Sequence, residues 1–165
     1  MNLFRTTLGA AVAACCCASL AQANPVTDTF DVTATVVAAC IVDAGDLSFG
    51  NYNPVAGTAV DASSTISVTC TNGSGYSIGL SAGASADEGA RAMAHASEPG
   101  ESLAYGLFKD IGLTENWGGI DLADRVTGTG TGTSQDHTVY GRVFASQSTA
   151  FVGSYADTIT ASVYF

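Results

Sequence analysis

The stretch YADTITASVYF, Tyr155 to Phe165, decides the fold. Ile159, Ala161, Val163 and Phe165 are apolar, and Thr158, Thr160 and Ser162 between them are polar. Successive side chains of a β-strand point to opposite faces of a sheet, so a period of two marks a strand with one buried face. The alternation predicts a last strand over Thr158–Phe165, with Ile159, Ala161, Val163 and Phe165 turned to the core.

The same period recurs upstream. Phe30, Val32, Ala34 and Val36 alternate with Asp31, Thr33 and Thr35. Leu47–Phe49 is a short apolar segment that stops at Gly50, and Thr65–Cys70 alternates cleanly. Thr71-Asn72-Gly73-Ser74-Gly75 is a turn signal before a further alternating run, Tyr76–Leu80, so Cys70 to Tyr76 reads as a hairpin loop. Leu103–Phe108 and His137–Ala145 complete the set, and the Thr-Gly tract Thr127–Thr133 reads as a surface loop or a weak edge strand. Helical periodicity is nearly absent. The best helix candidate, Ala84–Ala96, contains Gly89 and has a weak apolar face, so it reads as a loop or a single turn. Six or seven short strands with turn punctuation indicate an all-β sandwich.

The chain of 165 residues is long enough for one domain and hardly two. Arg5 is the only charged side chain before Asp28; Leu8–Leu20 is mostly Ala, Val, Cys and Leu, and Ala21-Gln22-Ala23 follows. A basic start, an apolar middle and an A-x-A site are the layout of a secretory signal peptide, here residues 1–23. A competing reading is a lipoprotein box at Val12–Cys15, which would leave a lipid on Cys15. Cleavage after Ala23 removes Cys15, Cys16 and Cys17 and leaves Cys40 and Cys70, an even pair in an exported protein. A disulfide is the expectation. Closing a loop of about 31 residues contributes roughly 3–4 kcal/mol by loss of chain entropy in the unfolded state. The formal net charge of −10 disfavours nucleic acid as a partner, because neutralising phosphates needs a basic surface.

Chemistry-bearing motifs are scarce. His95 lies in a small-residue stretch, and His137 begins a strand beside Asp136. No nucleophile elbow, P-loop or H-E-x-x-H is present, so no catalysis, cofactor or metal is expected. Asp43 and Asp46, and Asp121 and Asp124, read as solvated acidic loops lacking the dense oxygen ligands of a calcium loop. Trp117, beside Gly118-Gly119, reads as a packed anchor for a loop. Asn72-Gly73-Ser74 matches a glycosylation sequon, but its Asn-Gly is explained by the turn.

The order of segments carries a resemblance. Cys40 is followed by Leu47-Ser48-Phe49-Gly50-Asn51-Tyr52, then Ile66–Thr71, Tyr76–Leu80 and Gly83. Arg91-Ala92-Met93 precedes Leu103–Asp110 and Trp117-Gly118; Val139-Tyr140-Gly141 and Gly153-Ser154-Tyr155-Ala156-Asp157-Thr158 come last. From about Phe30 to Phe165 the chain resembles the spore coat protein U domain family, which includes the subunits of archaic chaperone–usher pili.

The resemblance implies an incomplete immunoglobulin-like β-sandwich completed by a donor strand. A periplasmic pilus chaperone lends that strand first, and the N-terminal segment of a neighbouring pilin subunit replaces it at the outer-membrane usher. It implies residues 24–36 as a donor or first-strand segment and 37–165 as the pilin domain, in a cell-surface fimbrium that serves adhesion or biofilm formation. Phe30, Val32, Ala34 and Val36 are the donor candidates, and the same residues as a first strand of their own domain is an equal reading. Ile159, Ala161, Val163 and Phe165 would line the groove, and the carboxylate of Phe165 would meet basic chaperone residues. The alternative function is a secreted, coat-associated or minor tip-proximal binding module of the same fold.

Overall fold

The computed structural model describes residues 24–165. The expected signal segment, residues 1–23 with Cys15, lies outside the described residues. The chain divides after Thr35. In the first unit, residues 24–35 form no helix or strand, and their side chains are exposed. The second unit, Val36–Phe165, carries nine strands.

In chain order these are β1 (Cys40–Ala44), β2 (Val60–Cys70), β3 (Gly75–Leu80), β4 (Arg91–His95), β5 (Ser102–Phe108), β6 (Val126–Thr129), β7 (Gln135–Val143), β8 (Tyr155–Ala156) and β9 (Ala161–Tyr164). A single 3₁₀ turn, Leu122–Asp124, interrupts them. Six strands form one antiparallel sheet in the order β1-β2-β7-β5-β4-β8, and three form a second in the order β6-β3-β9. The two sheets enclose the core between their inner faces.

Period-two patterning fills that core as the sequence predicts. Ile66, Val68 and Cys70 of β2, Tyr76, Ile78 and Leu80 of β3, and Leu103, Tyr105 and Leu107 of β5 are all buried. Intervening Ser67 and Thr69 sit on the opposite face, where Ser67 donates to Asp136 at 2.7 Å. Trp117 is fully buried, and its indole N–H donates to the Ile78 carbonyl at 3.0 Å, so it is the loop anchor expected of it.

Four expectations are corrected. The Cys70–Tyr76 connection is a turn, with Ser74 N–H donating to Thr71 O, but β2 and β3 belong to different sheets and do not form a hairpin. A turn signal reports local backbone geometry and is blind to which strand becomes the neighbour. The domain's first strand is Cys40–Ala44, and the alternating stretch at 30–36 is in no strand. Within Ala84–Ala96, Arg91–His95 is β4, paired with β5 and β8. The last strand is shorter than Thr158–Phe165: β9 covers only Ala161–Tyr164, and Phe165 is 62% exposed rather than turned inward.

Two charged groups are buried to hold the loops. Arg91 is 1% exposed. Its guanidinium donates to the carbonyls of Ser81 (2.9 Å), Leu80 (3.2 Å), Glu88 (2.7 Å) and Trp117 (2.8 Å), which satisfies a charge that would otherwise be costly to bury. Burial lowers its pKa, and Tyr105, Glu88 and Asp157 oppose that shift. The Glu88 carboxylate accepts from the amides of Gly119 (2.8 Å) and Ile120 (3.1 Å).

The Cys40–Cys70 disulfide forms between directly opposed residues of β1 and β2, with Cα atoms 4.1 Å apart. It therefore ties edge strand β1 to its own sheet and does not bridge the two sheets. Replacing both cysteines by Ser should lower the unfolding free energy by roughly 3–4 kcal/mol in urea titrations. An unchanged midpoint would count against a structural role for the bond.

A polar link does cross between the sheets. The Tyr76 hydroxyl lies 2.9 Å from His137 Nε2, with the rings edge-to-face. Burial lowers the His137 pKa, and the Asp136 charge offsets this only in part. The folded state then binds the imidazole proton less readily than the unfolded chain. The stability contribution is complete above the unfolded value of about 6.5 and is lost as the pH falls below it. His137→Gln keeps a hydrogen-bonding partner without titrating. Its denaturation midpoint should fall less than the wild type's between about pH 7.5 and about pH 5.5.

Candidate functional site: an open groove between the sheets

The inner face of the six-stranded sheet is wider than the three-stranded sheet opposite. Two cavities, of about 610 Å³ and about 450 Å³, occupy the difference. Both are lined by Leu47, Phe49, Met93 and Tyr155, so they are parts of one groove. One lip is the segment 44–54, and the other is 150–161. The floor is apolar: Ile66, Leu103, Tyr105, Val139 and Val143, with Leu80 of the facing sheet at its side.

Each lip is fixed by its own contacts. Phe49 packs edge-to-face on Tyr105, with ring centroids 6.1 Å apart. The second lip is pinned through Asp157, whose carboxylate accepts from Tyr105 Oη–H (2.7 Å), the Ala84 amide (2.9 Å) and the Thr158 amide (2.7 Å). Burial, reinforced by Asp157, pushes the Tyr105 phenol well above its usual range, so it stays a donor. Gly83, at φ +68°, lies so close to this carboxylate that a Cβ would overlap it. Further along, the Ser81 amide donates to Thr160 O at 3.0 Å and the Thr160 amide to Ser81 Oγ at 2.9 Å.

The groove is bounded at both ends. At one end the Gln147 amide donates to Tyr52 Oη at 3.2 Å, and the Gln147 side chain brackets the Ala104 peptide, accepting at 2.7 Å and donating at 2.9 Å. At the other end Cα atoms of β1 and β9 come within 8 Å of each other. A strand seated between two others holds them about 9.6 Å apart, so β1 and β9 are too close for one there. β9 bonds to β3 on one side only, and β1 to β2 on one side only. Their other edges carry unpaired backbone donors and acceptors.

The predicted site residues separate in this geometry. Ile159 and Ala161 line the groove, and Val163 packs against the core opposite Ile78. Phe165 stays outside. Its neighbour Tyr164 instead receives the Arg125 guanidinium 3.8 Å from its ring centroid. Phe30, Val32, Ala34 and Val36 are exposed. The first lip includes Leu47–Phe49, read above among the strand signals but in no strand here, while the pin Asp157 carries no alternating pattern that would have announced it. Among the described residues no three His, Cys, Asp or Glu side chains group as a metal site. No described helix is long and apolar enough to cross a membrane.

No curated protein matches the chain. A solved structure does: the CsuC–CsuE chaperone–tip adhesion subunit pre-assembly complex from the archaic chaperone–usher Csu pili of Acinetobacter baumannii. The match has a TM-score of 0.60 at 23% identity and covers 79% of this chain but only 41% of that one. It supports an immunoglobulin-like sandwich for this chain. The Spore Coat Protein U domain matches residues 26–162, most of the sequence. Joined to the all-β sandwich and its open groove, that match assigns the chain to the Spore Coat Protein U domain family.

Proposed function

We propose that the chain is a structural subunit of a chaperone–usher surface pilus that polymerises by donor-strand complementation, in the service of adhesion or biofilm formation. The observation that carries this reading is the apolar groove flanked by the one-sided edge of β9. A strand added along such a groove gains main-chain hydrogen bonds from the edge and buries alternate side chains in the floor. Residues 24–36 are the donor segment, and 37–165 are the domain that receives a donor. Phe30, Val32, Ala34 and Val36 supply the alternating apolar face, and an exposed segment outside any strand is free to pair elsewhere. Burial of each large apolar donor side chain contributes ~1.5–3 kcal/mol. The partners are a periplasmic pilus chaperone, an outer-membrane usher and neighbouring subunits. Residues 1–23 direct export. Seating a donor along the whole of β9 requires β1 to move outward.

Val32→Arg is the direct test. Arg enters an apolar pocket only with a counter-charge, so the variant should fold, form its disulfide and bind a chaperone, yet fail to polymerise. A peptide covering residues 24–37 should cap chaperone-free subunit as a monomer. Fibres of normal length from Val32→Arg, seen by electron microscopy, would sink the donor assignment.

Asp157→Ala tests the lip. It leaves the Tyr105 hydroxyl and the Ala84 amide without their acceptor, at a cost of about 1–3 kcal/mol. Hydrogen exchange should rise first at 155–161, and the 24–37 peptide should bind more weakly. Unchanged exchange there would show that the lip is held by other contacts.

A further inference from the structure

We propose that His95 is a proton-operated latch on the groove lip: its neutral imidazole holds the 151–153 stretch in place, and protonation at Nδ1 releases it. This deepens the groove reading and rests on it for its consequence, though not for the latch itself.

The ring stands at the C-terminal end of β4, and both nitrogens are engaged. Nδ1 accepts two backbone hydrogen bonds, from the amides of Ser97 (3.0 Å) and Glu98 (2.9 Å). A nitrogen that accepts carries no proton, so Nδ1 is the bare one and the hydrogen sits on Nε2. Nε2 lies 3.3 Å from the Val152 carbonyl, to which its N–H donates. The tautomer thus follows from the partners on both sides.

On the lip side the fit is close. Gly153 approaches the imidazole so tightly that a Cβ there would overlap Nε2. Tyr155 meets the ring edge-to-face at 4.9 Å, and its hydroxyl donates to Phe151 O at 2.9 Å. Phe151, Val152, Gly153 and Tyr155 all line the larger cavity, and Tyr155 lines the smaller as well. The imidazole therefore joins the β4–β5 turn to Phe151–Gly153 of the lip, beside the backbone bond from the Ala96 amide to Ser154 O at 2.9 Å.

A proton added at Nδ1 points at two N–H donors that have lost their acceptor. Both bonds must break, and the ring or the turn must move. The backbone of Ser154–Ala156 stays tied to β4 through the β4–β8 pairing and the Ala96 amide's bond to Ser154 O (2.9 Å), so movement of the ring wedged against Gly153 frees Phe151–Gly153 alone. The titratable and charged groups on the elements packed around it are Glu98 and Glu101 in the following turn, Tyr155 of β8, and Arg91 at the far end of β4. None of them is within hydrogen-bonding distance of the ring through its side chain. Imidazole is the side chain whose charge ordinarily changes between about pH 5 and about pH 8.

The test uses the full chain and hydrogen exchange at about pH 8 and about pH 5, corrected for intrinsic rates. In the wild type, protection at the Ser97 and Glu98 amides should fall about tenfold at the lower pH, which corresponds to about 1.4 kcal/mol, and the NMR resonances of Gly153, packed against the ring, should shift with it. His95→Asn places a non-titrating oxygen near the Nδ1 position, so its Ser97 and Glu98 amides should stay protected at both pH values. Equal wild-type protection at the two pH values, or the same loss in His95→Asn, would overturn the latch. Should His95→Asn fail to fold, long-range ¹⁵N correlations of the wild-type imidazole decide instead. Nε2–H at the higher pH and a doubly protonated ring at the lower support the latch, and Nδ1–H at the higher pH overturns it. Binding of the 24–37 peptide is measured in parallel. A lip that responds to pH in a chain that never binds the peptide would overturn the donor reading and leave the latch standing.

Discussion

Unequal width of two facing sheets is the constraint from which the other features follow. Strands in a sheet lie about 4.8 Å apart, so six strands span about twice the width of three. A three-stranded sheet cannot cover the inner face of a six-stranded one. The uncovered part is apolar, because Ile66 of β2, Leu103, Tyr105 and Leu107 of β5 and Val139 and Val143 of β7 face inward there. Two irregular lips lean over it without meeting, and the result is a groove with an apolar floor.

Polar contacts gather where that incomplete cover has to be held up. Strands inside a sheet are positioned by their neighbours, but most of each lip lies outside any ladder, with Tyr155–Ala156 paired to β4 as the exception within residues 150–160. Asp157, Gln147, Ser81 and His95 take over the task by bonding backbone groups that no strand reaches. Arg91 does the same for the loops behind β3 and β4, joining four carbonyls at one buried charge. These side chains stand in for missing ladder bonds, which accounts for the burial of Arg91 and Glu88 in this chain. The disulfide has a related role, since it secures β1, a strand with a partner on one side only.

On the donor-strand reading proposed above, the approach of β1 to β9 adds a requirement. With Cα atoms within 8 Å the two strands obstruct one end of the groove, while the stretch between 44–54 and 150–161 is open. A strand entering the groove would start from the open stretch and separate β1 from β9 as it advanced. β1 is held to β2 at both ends, by the disulfide at Cys40 and by the Gly45 amide's bond to Thr65 O (2.9 Å) beyond Ala44.

The sequence by itself determined the class of fold, the disulfide and the packing of Trp117. Each depends on something local: a period of two along the chain, a pair of cysteines, or a large aromatic among glycines. The resemblance carried by Leu47–Tyr52, Leu103–Asp110 and Gly153–Thr158 determined the family. Only the tertiary structure decided that Cys70–Tyr76 crosses between sheets, that Arg91–His95 is a strand and that Phe165 lies outside the core. Strand pairing is a contact between distant segments, and alternation names a strand's buried face without naming its neighbour. The groove was hidden for the same reason. Its floor residues look like any core residues until the strands that fail to cover them are counted, and its pins, Asp157 and His95, act on backbone groups that only folding brings within reach.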